Sequence, residues 1–214
     1  DKGPKTKEII NFITENREWF ILVKGNHENY VYKALKGELE EHKELEKEFF
    51  TSIVELRDDE ETKKKFFDLV ESSKNFYIHR NFIVTHAPCE SKYLGKLDNF
   101  SQKLQRNVSY PKQRDYKTIE EHKEAVEKFI GYMKAEAVSN HPDHLCGHIA
   151  LARIPKLRNK LMIDTGCVSG NKLTAVHYNF HGKPFFTHVD SKQPKKEELL
   201  TLFDYSELLF KRYM

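Results

Sequence analysis

The chain has 214 residues, 32% of them charged and 38% hydrophobic, with a formal net charge of +3. That length supports one α/β core of useful size and leaves little for a second independent domain. The aromatic content of 12% excludes a disordered composition, and so small a net charge makes no case for nucleic acid by itself. No apolar run is long enough to span a bilayer, and no signal-peptide pattern opens the sequence. Cys89, Cys146 and Cys167 lack paired spacing and read as reduced thiols of a cytoplasmic protein.

Asp1-Lys2-Gly3-Pro4 reads as a loop. From Thr6 to Arg17, Ile9, Ile10 and Ile13 recur at helical spacing. Phe20-Ile21-Leu22-Val23, ending in Lys24-Gly25, predicts a buried parallel strand. Residues 26 to 75 carry a helical pattern, and the Glu/Lys pairs between Glu38 and Lys47 read as a solvated helix face. Phe76 to His79 and Phe82 to Thr85 flank Arg80-Asn81 and predict a β-hairpin. Residues 89 to 117 read as loop. Residues 118 to 138 predict an amphipathic helix capped by Thr118 with Glu121 three positions on, its apolar face made by Ala125, Val126, Phe129 and Met133.

Beyond His141-Pro142-Asp143 the elements are short strands: one through Leu145-Cys146, one from Lys160 to Asp164, and an antiparallel pair from Leu173 to Tyr178 and Pro184 to Val189. The last twenty residues return to a helical pattern. Helices between early strands, with hairpins at the end, predict an α/β chain with a mixed sheet system.

Three clusters carry candidate chemistry, each directly after a predicted strand, where open α/β sheets hold their working residues. The first is Gly25-Asn26-His27-Glu28. An Asn amide oxygen can ligate a hard divalent cation, and a His can protonate a leaving oxygen near neutral pH. The same four residues also make an ordinary strand-end turn. The second cluster is Thr85-His86-Ala87 and the third Cys146-Gly147-His148. A lone buried His is usually satisfied by a backbone partner, but three strand-end histidines point together toward imidazole ligation of a borderline divalent metal.

These anchors, in the order Asp1-Lys2-Gly3-Pro4, Gly25-Asn26-His27-Glu28, Thr85-His86-Ala87 and Gly147-His148, resemble the calcineurin-like metallophosphoesterases. The run Ile163-Asp164-Thr165-Gly166-Cys167, with Gly170-Asn171-Lys172-Leu173-Thr174 after it, is similar to the closing strands of bacteriophage serine/threonine phosphatases. It is also similar to the phosphatase module of bacterial polynucleotide kinase-phosphatases and to diadenosine tetraphosphatases.

The resemblance implies a two-sheet mixed β-sandwich flanked by helices, formed by residues 1–214 as one metallophosphoesterase domain. It implies two divalent metal ions, with manganese expected and iron, zinc, nickel or cobalt as alternatives. Asn26, His86 and His148 are the implied metal ligands. His27 is the implied general acid, with Asp1 orienting its imidazole. Lys2, Asn26 and His27 are the implied contacts to the substrate phosphate, and Asp164 a supporting carboxylate whose alternative role is to cap the turn after its strand. Lys2 stands where the family carries an Arg, so a point charge replaces a bidentate fork. The family's Asp-x-His motif and its Gly-Asp pair, both upstream of the Asp1 position, are not in this sequence. The chain is therefore expected to be N-terminally incomplete, with weak or no activity if nothing precedes Asp1.

The expected function is phosphomonoester hydrolysis, foremost as a serine/threonine-type protein phosphatase, with nucleic-acid end processing as the alternative. The basic residues from Lys92 to Lys117 interleave with Tyr93, Phe100, Tyr110 and Tyr116. They suit single-stranded nucleic acid, a phosphopeptide, or a solvated cover loop. A third expectation, from another class, is a non-catalytic binding module with a degenerate metal site. The partner expected is a phosphorylated protein or nucleotide end, and no membrane.

Overall fold

In the computed structural model the described residues are 2–39, 50–88, 117–118, 120–121, 124–125, 127–129, 131, 143–151, 154 and 159–195. Asp1, most of the Glu/Lys run between Glu38 and Lys47, Cys89, the basic and aromatic segment from Lys92 to Tyr116, part of the helix predicted over 118–138 and the helical pattern predicted from residue 196 onward lie outside them. The chain divides into two compact units, Asp1–Tyr77 and Ile78–Met214.

The first unit is helical. Helix α1 spans Thr6–Glu15 and is followed by a single 3-10 turn, Arg17–Trp19. Helix α2 spans Asn26–Leu35, α3 Thr51–Arg57 and α4 Glu60–Glu71. Apolar residues three and four apart face inward: Ile53 and Leu56 on α3, and Phe66, Leu69 and Val70 on α4. With Ile10 and Val31 they form one core, each side chain contributing about 1.5–3 kcal/mol by leaving water. The outward faces carry Glu/Lys pairs such as Glu61 with Lys65 at 2.7 Å. Asp59 caps α4 by accepting from the Thr62 amide at 3.0 Å, and Lys7 pairs with it at 2.7 Å, tying α4 to α1. Lys7 and the Thr62 donors together hold the Asp59 carboxyl down to about 2.

The buried strand expected over Phe20–Val23 is reduced to one parallel bridge between Val23 and Lys74. Lys74 donates to the Leu22 carbonyl at 2.9 Å, and Lys24 donates to that of Lys74 at 2.8 Å. The direction is as expected, but the length and burial are not. Lys74 lies between the end of α4 and the next strand, leaving room for one bridge, and Ile21 is 53% exposed.

Strand β1 (Phe76–Ile78) carries the division between the units; β2 is Phe82–Thr85, β3 Asp143–Cys146 and β4 Lys160–Met162. The sheet order is β1-β2-β3-β4, with β2–β3 and β3–β4 parallel. The expected turn at Arg80-Asn81 forms, with the His79 amide on the Phe82 carbonyl at 2.8 Å. In the second unit Phe129, Cys146, Ile149, Leu151 and Met162 make the core. Phe129 comes from the predicted helix, whose described residues between 120 and 131 are helical. Its capping box forms: the Glu121 amide donates to Thr118 Oγ1 at 3.1 Å, and the Thr118 amide returns a bond to the Glu121 carboxylate.

A second sheet pairs β5 (Lys172–Tyr178) with β6 (Pro184–Asp190), antiparallel from Lys172 opposite Asp190 to Tyr178 opposite Pro184. Tyr178 joins the two sheets. Its hydroxyl donates to Asp143 at 3.0 Å, and its ring stacks on Phe82 with centroids 4.7 Å apart. Two sheets, one largely parallel and one antiparallel, together with the helices of the chain, make the α/β class predicted from sequence. Among the described residues no helix is long and apolar enough to cross a membrane.

Candidate metal and phosphate site

The first cluster lies at the start of a helix. Gly25 is buried and extended (φ −92°, ψ 171°) and serves as the N-cap of α2, so Asn26 and His27 occupy the first turn. Gly25 brings no side chain to cap that turn, and a helix start offers partial positive charge and amide donors to an anion. His27 is half-buried against aromatic rings: its own ring lies 5.0 Å from Phe50, which stacks on Tyr30 at 4.2 Å. That burial, then the positive charge of Lys2, holds the imidazole below its ordinary value, against the pull of Glu28. Lys2 is exposed yet close enough for its charge to reach His27. The expected orienting carboxylate, Asp1, lies outside the described residues.

The second and third clusters meet within the second unit. His86 follows β2 and Gly147-His148 follows β3, and the register Thr85↔Cys146 brings the two strand ends level. The ladder runs one residue further, the Gly147 amide donating to the His86 carbonyl at 2.9 Å. A Cβ on Gly147 would sit 3.5 Å from that same oxygen, an ordinary contact. Side chains alternate along a strand. His148 should therefore follow Cys146 onto the face opposite His86.

His148 instead has φ 69°, the left-handed region, and is the non-glycine residue there among the described residues. That conformation costs about 1–3 kcal/mol, and it turns the ring back toward His86. The two rings lie with centroids 4.9 Å apart at 62°, and His86 Nε2 is 3.1 Å from His148 Nδ1.

That nitrogen separation allows a test of metal fit. Two imidazole nitrogens at about 2.0–2.1 Å from one cation, subtending between a right angle and the tetrahedral angle, stand about 2.8–3.4 Å apart. The observed 3.1 Å falls within this range, and without a metal it is the length of a ring-to-ring hydrogen bond whose donor depends on the tautomers. The donor set therefore fits a shared divalent cation, although among the described residues no three His, Cys, Asp or Glu side chains form a complete cage. Asp164 supports the same end of the sheet through its backbone, its carbonyl accepting from the Leu151 amide at 2.9 Å. Its carboxylate accepts from the Gly166 amide at 2.9 Å, the turn-capping role weighed from sequence.

One residue carried no expectation from sequence. His144 in β3 is fully buried, and burial first, then the charge of buried Lys160, pushes its imidazole down to about 3. Its Nε2 lies 2.7 Å from Thr85 Oγ1, which also lies 2.7 Å from the Ala87 carbonyl. Period alone does not single it out, because β3 is buried on both faces from His144 through Cys146.

No family model matches the sequence. Among characterised proteins, the asymmetrical bis(5'-nucleosyl)-tetraphosphatase PrpE of Bacillus velezensis is 30% identical over 204 residues, covering 85% of this chain and 72% of that protein. The chain belongs to the PrpE family. PrpE of Oceanobacillus iheyensis is 29% identical over 217 residues, 96% of this chain and 80% of its own length. PrpE of Bacillus subtilis is 26% identical over 196 residues, 83% and 72% respectively. Membership makes the chain a metallophosphoesterase-type phosphoric ester hydrolase, as the sequence motifs implied. It also implies use of divalent metal.

Proposed function

We propose that this chain, as one metallophosphoesterase domain, hydrolyses a nucleotide-type phosphoric substrate, and that Asn26 and His27 of the first unit and His86 and His148 of the second each take part in the reaction. The observation that carries the reading is the 3.1 Å approach of His86 Nε2 to His148 Nδ1, made by a left-handed His148, in a PrpE-family chain. Strain held at a strand end calls for a purpose, and ligation of one cation by both rings supplies it.

In this reading Asn26, His86 and His148 hold metal. Divalent cations held there would supply Lewis-acid stabilisation of phosphate charge and a more acidic water. The first turn of α2 and the ammonium of Lys2 receive the phosphate charge. His27 gives its proton to the leaving oxygen, with Asp1 orienting the ring. Asp164 steadies the turn behind the metal ligands.

The role of His27 bears on the choice of substrate. As the proton donor His27 matters in proportion to the basicity of the leaving oxygen. A nucleoside phosphate expelled from a polyphosphate is a far weaker base than the alkoxide expelled from phosphoserine. The relatives named as bis(5'-nucleosyl)-tetraphosphatases point to the former. A nucleoside polyphosphate is therefore the substrate class favoured over a phosphoprotein or a nucleic-acid end.

The test is a side-by-side comparison of kcat/KM on diadenosine tetraphosphate, a phosphoserine peptide and a phosphorylated oligonucleotide, with a divalent metal series including manganese. The polyphosphate is expected to be preferred by about 10²-fold or more, the scale of general-acid demand. A preference for the phosphopeptide would restore the serine/threonine-phosphatase reading, and one for the oligonucleotide the end-processing reading.

A further inference from the structure

We infer that His144 is a positioning residue for His86, acting through the hydroxyl of Thr85; the inference rests on the reading of His86 as a metal ligand. Thr85 Oγ1 has one proton and lies 2.7 Å from both the Ala87 carbonyl and His144 Nε2. A carbonyl only accepts, so the Thr85 proton goes to Ala87. His144 Nε2 must then be the donor to Thr85, which sets the ring as the neutral Nε2–H tautomer.

The consequence lies at His86. Thr85 and Ala87 are its two chain neighbours, and the hydroxyl–carbonyl bond closes a small loop across it. Thr85 is 2% exposed and His144 fully buried, so no water competes for these bonds. His144 is itself held at both sides of β3: its residue pairs with Ile83 of β2, and its amide donates to the Asn159 carbonyl at 2.6 Å. The backbone angles that aim the His86 ring at His148 are thus referred to the centre of the sheet. Such outer partners govern ligand orientation, and their loss commonly weakens metal affinity by about 10–100-fold.

The experiment measures Zn²⁺ affinity of the full chain by calorimetry, with unfolding midpoints of the metal-free proteins alongside. Thr85→Val and His144→Leu, which keep bulk and remove the polar link, are expected to bind Zn²⁺ about 10–100-fold more weakly. Thr85→Ser and His144→Gln, which keep an acceptor and a donor, are expected to restore most of it. The double variant should lose no more than either single one, because both break one link.

If Thr85→Val and His144→Leu fold and bind like the unaltered chain while His86→Ala loses Zn²⁺, the positioning role is overturned and the metal reading stands. If His86→Ala also binds like the unaltered chain, the metal reading fails first, and the inference with it. A measurement needing no variant completes the test. Ring ¹⁵N–¹H spectra of the unaltered chain should show His144 protonated at Nε2, and a proton on Nδ1 instead would overturn the relay even if every variant misfolded.

Discussion

The candidate residues fall into two halves, one in each unit, built on opposite principles. Asn26 and His27 stand in the first turn of a helix, where the backbone is relaxed and what acts on the side chains is a polarised helix start, aromatic neighbours and one exposed Lys. His86 and His148 stand at the ends of parallel strands, where register brings them level and a left-handed residue turns one ring to the other. The first half manages charge and the second manages geometry. Mutations should therefore separate: changes in the first half should track the leaving group and phosphate, and changes in the second should track metal.

The sharpest way to break that comparison is at His148 and His86. His86→Ala and His148→Ala should each lower metal affinity by more than the about 100-fold typical of an outer partner, with all substrates suffering together. Stability should part them from a further variant. His148→Gly relieves a strain of about 1–3 kcal/mol against a loss of about 0.4–1 kcal/mol through the more flexible unfolded chain. It should therefore unfold at a higher denaturant concentration than His148→Ala while binding metal as poorly. Equal stability of the two would mean the left-handed backbone is not held by the fold.

The next largest effect belongs to the first half. His27→Ala should slow hydrolysis of an alkyl phosphate ester by about 10²–10⁴-fold. It should slow a nucleoside polyphosphate or an aryl phosphate much less, with metal content kept near normal. Equal losses on all three, with metal retained, would leave His27 as a phosphate-binding or structural residue.

Acid should expose the buried support of the second half. His144 is held down to about 3 from the ordinary imidazole value of 6.5 by burial first and Lys160 second. Between those values the unfolded chain takes up a proton that the folded chain refuses. The stability it contributes is complete above about pH 6.5 and falls by about 1.4 kcal/mol per pH unit below it. His27, also lowered, adds to the same trend. Urea unfolding at pH 7 and pH 5 should show the loss, and His144→Leu should flatten it. An unchanged slope would mean that another group governs the acid limb.

The smallest effect is expected at Lys2. Lys2→Arg should preserve or slightly improve KM, since a planar fork replaces a point charge on the phosphate, with kcat and metal content unchanged. A large fall in turnover would assign Lys2 a role that needs an ammonium.

Much of this was legible from the sequence because it rests on period and local chemistry. The capping box at Thr118 and Glu121, the antiparallel pairing of Lys172–Tyr178 with Pro184–Asp190, and the strand-end placement of His86 and His148 all follow from spacing. What escaped depended on partners distant in the chain. Phe20–Val23 has a strand's composition, but Lys74 offers it a single bridge. His144 looked like any buried-strand residue, because its contact with Thr85 spans 59 positions. The backbone reversal at His148 has no sequence signal at all: Gly147 is the residue one would pick for positive φ, yet the left-handed angle falls one residue later.

The central claim is that His86 Nε2 and His148 Nδ1 share one cation, and ring ¹⁵N spectra of the full chain during a Zn²⁺ titration test it directly. The account predicts that these two nitrogens shift together with one stoichiometric step, while both nitrogens of buried His144 stay where they were. A shift confined to one ring, or ligation through His148 Nε2 instead, would contradict it.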